Sequence, residues 1–220
     1  MEWDLALEKR IRLTLTALIA RYPVLEECSE AILTAYNICK VTFNHGGKIL
    51  VCGNGGSAAD AMHFSAELMK GFLKKRPLDA AVQTRLRQLV TPEPEWIDHL
   101  QGALPVLPLT VNSGLTTAVL NDQAGDLIFA QQVVGYGMPG DSLFAISTSG
   151  NSGNVLKAVW VAKAKQLATI GLTGRKGGQL QELCDTCIRV PADLAHQVQE
   201  LQLPVYHTLA LMLEETFFPA

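Results

Sequence analysis

Two stretches of the chain gather glycines, hydroxyls and amides where an apolar run ends and a helical pattern begins. The first, Gly53-Asn54-Gly55-Gly56-Ser57, follows the run Lys48–Cys52, and its glycines let backbone amides approach a ligand that side chains would hold off. Amides at the start of a helix favour an anion. Gly53, Gly55 and Ala58 also fit the dinucleotide pattern G-x-G-x-x-A, but the acidic residue that should end the next strand is missing, because Leu104–Thr110 runs into Val111 and Asn112. No Gly-Lys-Ser/Thr follows, so the loop is not of the Walker type. The second stretch, Ser147-Thr148-Ser149-Gly150-Asn151-Ser152, packs four hydroxyls into six residues. Capping a helix takes one hydroxyl; four suit the oxygens of a phosphate monoester.

Metal-ligand chemistry is the second possibility. His63 and Glu67 stand four residues apart on a helical segment and point to one face. A single imidazole is commonly a plain core or surface histidine, and the pair alone leaves both readings open. On the last helical segment Gln199 and His207 lie about 12 Å apart along the axis. That is a stretch for one ion unless the side chains reach inward or Pro204 bends the helix. His45, His99 and His196 read as solvated. Cys184 and Cys187 have the spacing of a metal or redox pair, but no second pair completes a zinc site, and packing where a helix gives way to a strand is the simpler reading.

The elements that must position these groups alternate. Leu5, Leu13, Leu18 and Ile19, then Leu25, Ile32, Tyr36 and Ile38, recur at helical intervals on either side of Pro23, which predicts two N-terminal helices within residues 1–46. Short apolar, β-branched runs predict strands at Lys48–Cys52, Leu104–Thr110, Asp141–Ile146, Ala168–Leu172 and Thr186–Val190. Helical patterns separate them, including Asn154–Leu167 and Ala195–Phe217. The expectation is one α/β domain over 1–220, a five-stranded parallel sheet with helices on both faces, and ligands beyond the carboxyl ends of the strands. Residues 74–103 break the rhythm with charges and prolines and read as an insertion. Within it Val82, Leu86 and Leu89 predict a short amphipathic helix, which leaves a lid, an oligomer contact or a plain surface excursion open.

Composition narrows the function classes. A 220-residue chain with 48% hydrophobic and 18% charged residues can bury a sizeable core. Its net charge of -3 and the lack of a basic stripe argue against nucleic acid. No run reaches the length of a membrane span, the N-terminus lacks the order of a signal peptide, and five scattered cysteines suggest reduced thiols. A cytoplasmic location is expected.

The segments Val51–Glu67 (VCGNGGSAADAMHFSAE), Ile146–Ser152, Gly171–Gly174 and Val198–Glu200 followed by His207 resemble, in order and spacing, the phosphoheptose isomerases of the sugar isomerase (SIS) domain superfamily. The resemblance covers nearly the whole chain. It implies a homotetrameric aldose-ketose isomerase that interconverts D-sedoheptulose 7-phosphate and D-glycero-D-manno-heptose 7-phosphate in heptose biosynthesis, with sites near subunit contacts. Carried over by motif, Asn54, Gly55, Gly56 and Ser57 touch substrate, as does Asn112, and Ser147, Thr148, Ser149 and Ser152 hold its phosphate. His63, Glu67, Gln199 and His207 resemble the ligands of one zinc ion per subunit, with Glu67 and His207 also the acid/base pair and Glu67 and Gln199 in contact with the sugar. Two positions depart from the family pattern: Asn112 and His196 stand where compact members usually place Asp. The rival class is a non-catalytic sugar-phosphate-binding or replication-initiator-associating SIS protein, which tends to lose the acid/base set. Another SIS isomerase or an aminosugar-phosphate lyase would share the Ser-rich turn without the His63–Glu67 pair.

Overall fold

Strands buried on both faces must be apolar almost throughout, as the central three of the five strands are: the sheet comprises β1 (Ile49–Cys52), β2 (Val106–Pro108), β3 (Ser142–Ile146), β4 (Ala168–Gly174) and β5 (Thr186–Val190), with β2 and β5 at its edges. The computed structural model describes residues 2–90, 92 and 94–219. Met1, Thr91, Glu93 and Ala220, which belong to the expected N-terminal region, insertion and chain end, lie outside the described residues. All pairings are parallel, in the order β2-β1-β3-β4-β5. The chain therefore reverses its winding between β1 and β3, where a sheet of this order opens a crevice at its carboxyl edge.

The helices are α1 (Glu2–Arg21), α2 (Ser29–Asn44), α3 (Gly56–Met69), α4 (Ala80–Leu89), α5 (Ser113–Asp122), α6 (Ile128–Tyr136), α7 (Gly153–Ala164), α8 (Gly178–Leu183) and α9 (Ala195–Phe217). A 3-10 turn at Pro23–Cys28 joins α1 to α2. Side chains alternate across each strand, so Ile49, Val51, Phe144 and Ile146 pack with α1, α2, α3 and α9, while Leu50, Cys52, Leu143 and Ala145 pack with α6, α7 and α8. The α/β sheet covered on both faces is as expected from the sequence.

Several boundaries differ, and the first and third strands each start one residue later than expected. The second strand is shorter than Leu104–Thr110, because Pro105 and Pro108 have no N–H to give and confine it to the sheet edge. Its pairing is completed by single bonds, Ile49 N to Pro105 O at 3.0 Å and Leu109 N to Val51 O at 2.8 Å. The fourth strand runs on to Gly174, and the helix expected over Asn154–Leu167 spans Gly153–Ala164. In α1, Leu18 is buried as its spacing predicts, yet Leu5 and Leu13 are 67% and 57% exposed and form an uncovered apolar face.

Segment 74–103 holds the largest surprise. The amphipathic helix is present as α4, capped by the Asp79 carboxylate, and projects from a neck closed by a bridge between Pro77 and Gln101. Just before that neck, Arg76 is only 1% exposed. Its Nε donates to Glu214 Oε1 at 2.8 Å, Nη1 to the Leu68 carbonyl at 2.6 Å and Nη2 to the Glu67 carbonyl at 2.9 Å. Arg76 thus satisfies the last-turn carbonyls of α3, which a helix leaves without internal partners, and bonds them to α9. Glu214, also 1% exposed, accepts in addition from the N–H groups of Phe72 and Leu73 at 2.8 and 2.9 Å. Burial alone would raise the Glu214 carboxyl, but those amides and the Arg76 guanidinium outweigh it and hold the carboxyl below the ordinary glutamate value.

Arg76→Met is expected to lower the unfolding free energy by about 3–5 kcal/mol, read from urea denaturation, because it strands a carboxylate in the core. A loss below about 1 kcal/mol, the value of an exposed pair, would show that the clamp is not structural. With its pKa held low, Glu214 contributes stability that is complete above the ordinary value of about 4.3 and lost as pH falls through the lower folded value. The acid limb of the stability profile should therefore flatten in Glu214→Gln.

Candidate active site

Both glycine- and hydroxyl-rich turns leave the carboxyl edge of the sheet, one after β1 and the other after β3, and so flank the crevice. In the first, Gly55 takes a positive φ of 55° as the N-cap of α3, and no side chain caps the helix. The amides of Ser57 and Ala58 bond back to the carbonyls of Asn54 and Gly55. A side chain at Gly56 would collide with the Gln199 amide, so Gln199 of α9 lies directly over this turn. In the second turn Ser152 is the N-cap of α7, yet its hydroxyl does not cap. It meets the hydroxyl of Ser147 at 2.9 Å instead. Two helix N-termini without side-chain caps thus face one crevice, an arrangement that attracts an anion.

Asn54 and Asn154 fasten the turns together, each amide donating to the other's oxygen at 2.8 Å. Thr148 gives its carbonyl to Gly174 N at 3.1 Å, and the exposed Ser149 hydroxyl accepts from Asn151 N at 3.2 Å. Ser57 is buried beneath the first turn. Asn112 caps α5 by accepting from Leu115 N at 3.0 Å and leaves its amide near Tyr136.

Farther along α3 and α9 three of the four candidate ligands converge, while Gln199 stays over the first turn. His63 Nε2 lies 3.1 Å from Glu67 Oε1 and 3.3 Å from His207 Nε2. One donor atom from each of the three falls within 4.8 Å of the others. Two imidazole nitrogens and a carboxylate oxygen are a donor set that suits zinc, so the residues present fit the metal. Burial first, then neighbouring His63 and Arg21, hold His207 below the ordinary histidine value against the opposing Glu67 charge, so its ring is neutral at pH 7. The helix bearing Gln199 and His207 is assigned without a break through Pro204.

Several neighbours had no motif to reveal them. Lys70 donates to Glu67 Oε2 at 3.1 Å. The Tyr206 hydroxyl bonds Asp60 Oδ1 at 3.2 Å and contacts His63 Nδ1 at 3.1 Å. Asp60 could have been found from its i, i+3 spacing to His63; Tyr206 could not, because adjacent residues on a helix point in different directions. His45, His99 and His196 are exposed, as expected. Cys184 and Cys187 flank Gly171, where an added Cβ would lie 3.3 and 2.9 Å from their sulfurs. Burial pushes their thiols up to about 12 and about 11.

A family model described as the SIS domain matches residues 15–107 and 99–174. The phosphoheptose isomerase of Rhodospirillum rubrum is 42% identical over 191 residues, which cover 87% of this chain and 88% of that protein. Two solved structures are also similar. A phosphoheptose isomerase from Francisella tularensis has a TM-score of 0.73 at 30% identity, covering 96% of this chain and 98% of the other. The phosphoheptose isomerase GmhA from Neisseria gonorrhoeae has a TM-score of 0.68 at 32% identity, covering 93% and 97%.

The hydroxyl-rich turn depends on Gly150, which has a φ of 68° and no room for a Cβ against the Gly177 carbonyl. Gly150→Ala is expected to destabilise by about 2 kcal/mol or more, a fall in Tm of about 4–8 °C for a chain of this size. An unchanged Tm would mean that the turn is not held in this shape.

Proposed function

Because the chain belongs to the phosphoheptose isomerase family of SIS-domain proteins and is a sugar-phosphate isomerase, we propose that it interconverts D-sedoheptulose 7-phosphate and D-glycero-D-manno-heptose 7-phosphate. The observation that carries this reading is the convergence of His63, Glu67 and His207 on one spot beyond the two turns. From Gly56 to His63 is about 10 Å along α3, and from Gln199 to His207 about 12 Å along α9. An extended seven-carbon chain with its terminal phosphate spans such a gap.

In this reading the amides and hydroxyls of Gly55, Gly56, Ser57, Ser147, Thr148, Ser149 and Ser152 hold the phosphate, with Asn54, Asn112 and Gln199 toward the sugar. Ketose-to-aldose conversion moves one proton from C1 to C2 and another from O1 to O2 through an enediol. Glu67 takes the carbon-bound proton and returns it to C2. His207, neutral and therefore able both to accept and to release a proton, serves the two oxygens. Lys70 holds the carboxylate of Glu67 in place. His63, Glu67 and His207 would hold one zinc ion, which when bound supplies Lewis-acid polarisation of the carbonyl, and Gln199, packed over Gly56, would have to turn from that contact to join them as the fourth ligand. A binding-only SIS protein has no use for the carboxylate and imidazole, which favours catalysis.

We place the protein in the cytoplasm, where sugar phosphates are made and consumed, as one SIS domain with residues 74–103 an insertion. The exposed Leu5 and Leu13 on α1 support assembly of a homotetramer. Leu13→Glu is accordingly expected to lower the solution mass measured by light scattering; retention of the parent mass would remove α1 from the contact.

Turnover can be followed by NMR on sedoheptulose 7-phosphate, with and without a chelator. Glu67→Gln should reduce kcat by about 10²–10⁴-fold, the usual value of a positioned acid or base, with little change in KM. Unimpaired turnover in that variant would show that Glu67 is not the base. Unimpaired turnover after removal of all metal would dismiss the zinc.

A further inference from the structure

The Tyr206 hydroxyl sits between two groups, 3.2 Å from Asp60 Oδ1 and 3.1 Å from His63 Nδ1. The tyrosine is only 1% exposed and packs edge-on against both the His63 and His207 rings, with centroids 5.6 and 5.0 Å away. Its hydroxyl cannot swing elsewhere. It has one proton to give, and two possible recipients.

The partners decide which. Asp60 Oδ2 is buried and has no hydrogen-bond partner among the described residues, so Oδ1 is the atom through which that carboxylate is satisfied. If the phenol turned its proton to His63, both carboxylate oxygens would be left bare in a buried place, the costlier error. The competing arrangement would let His63 Nε2–H donate to Glu67. Glu67, however, receives Lys70 on its other oxygen, Oε2, at 3.1 Å, so one of its two oxygens is satisfied whichever proton His63 carries, whereas Asp60 would have none. The phenol therefore donates to Asp60, and its oxygen accepts a proton from His63 Nδ1. A neutral imidazole carries one proton, so Nε2 is left as a lone pair aimed at Glu67 and His207.

We propose that Asp60 and Tyr206 form a positioning relay, Asp60 to Tyr206 to His63, that fixes the His63 ring in its Nδ1-protonated tautomer and presents Nε2 to a metal ion. The inference rests on the zinc reading for its purpose, but the tautomer itself does not. Neither residue touches the reacting atoms. Both act through His63, as outer partners of metal-binding histidines do. A bound cation would draw electron density from the ring, make Nδ1–H a stronger donor, and tighten the same chain of bonds.

Two measurements on the full-length chain test it. In the metal-free protein, ¹⁵N NMR of the His63 ring, assigned by its loss in His63→Gln, should report protonated Nδ1 and bare Nε2, and Tyr206→Phe should shift the population toward the Nε2–H form. Zinc affinity, measured by competition with a chromogenic chelator, should fall about 10–100-fold in Tyr206→Phe. It should fall as far in Asp60→Ala and less in Asp60→Asn, whose amide oxygen still accepts from the phenol. Thermal unfolding recorded alongside separates this effect from loss of fold, since Tyr206→Phe keeps the ring and its packing. An Nε2–H ring in the parent protein, or zinc affinity within twofold of parent in folded Tyr206→Phe, would overturn the relay. Failure of the parent protein to take up zinc would instead defeat the zinc reading, and the tautomer would then decide the relay by itself.

Discussion

A guanidinium does not give up its proton, so an arginine taken into the core has to be met by a carboxylate and by carbonyls. Arg76 is met by Glu214 and by the terminal carbonyls of α3. The arrangement lets neither helix slide or rotate without leaving a charge unpaired in an apolar environment. The clamp thereby sets the register of α3 against α9. His207 lies two turns before Glu214 on α9, and His63 and Glu67 occupy the last turns of α3, so the register that satisfies the ion pair also brings three ligand-type side chains within 4.8 Å. The Arg76 guanidinium also lies over the Phe218 ring, 4.9 Å from its centroid, which draws the end of the chain into the same junction.

At the opposite end of α9 the constraint is geometric. Gln199 packs over Gly56, which only a residue without a side chain allows. One helix consequently touches the first turn, passes the His63–Glu67–His207 cluster, and ends in the clamp. The helix acts as a ruler of fixed rise between the glycine-rich turn and the His63–Glu67–His207 cluster. The switch point of the sheet brings the second turn to the first, since there the turns after β1 and β3 stand side by side, tied by Asn54 and Asn154.

How much of this was legible in the sequence follows from the range of each interaction. Strands and turns are local, so the apolar runs, the glycines and the serines located the sheet and the two turns at its carboxyl edge, and β5 and α9 match the expected residues. The edge strand was overextended because its periodicity outlasted its hydrogen bonds, which prolines interrupt. His63 and Glu67 were visible as an i, i+4 pair, whereas joining them to His207 took family resemblance, because no spacing encodes a crossing of two helices 144 residues apart in sequence. Arg76 stayed hidden for the same reason. Amid Lys74, Lys75 and Pro77 it looks like a surface charge, and only its partner 138 residues away makes it a core residue. Leu5 and Leu13 show the converse, since helical spacing marks an apolar face without saying that this chain alone covers it.

The clamp and the cluster are also linked energetically. The His63 and His207 rings meet edge-on, with their Nε2 atoms 3.3 Å apart. One proton shared between the two nitrogens satisfies this contact, and a cation bound between them would take the place of that proton. Rotating either helix to separate the rings would cost the buried Arg76–Glu214 pair. A cation that binds between the rings stabilises the fold by linkage, and neither helix has to move to receive it.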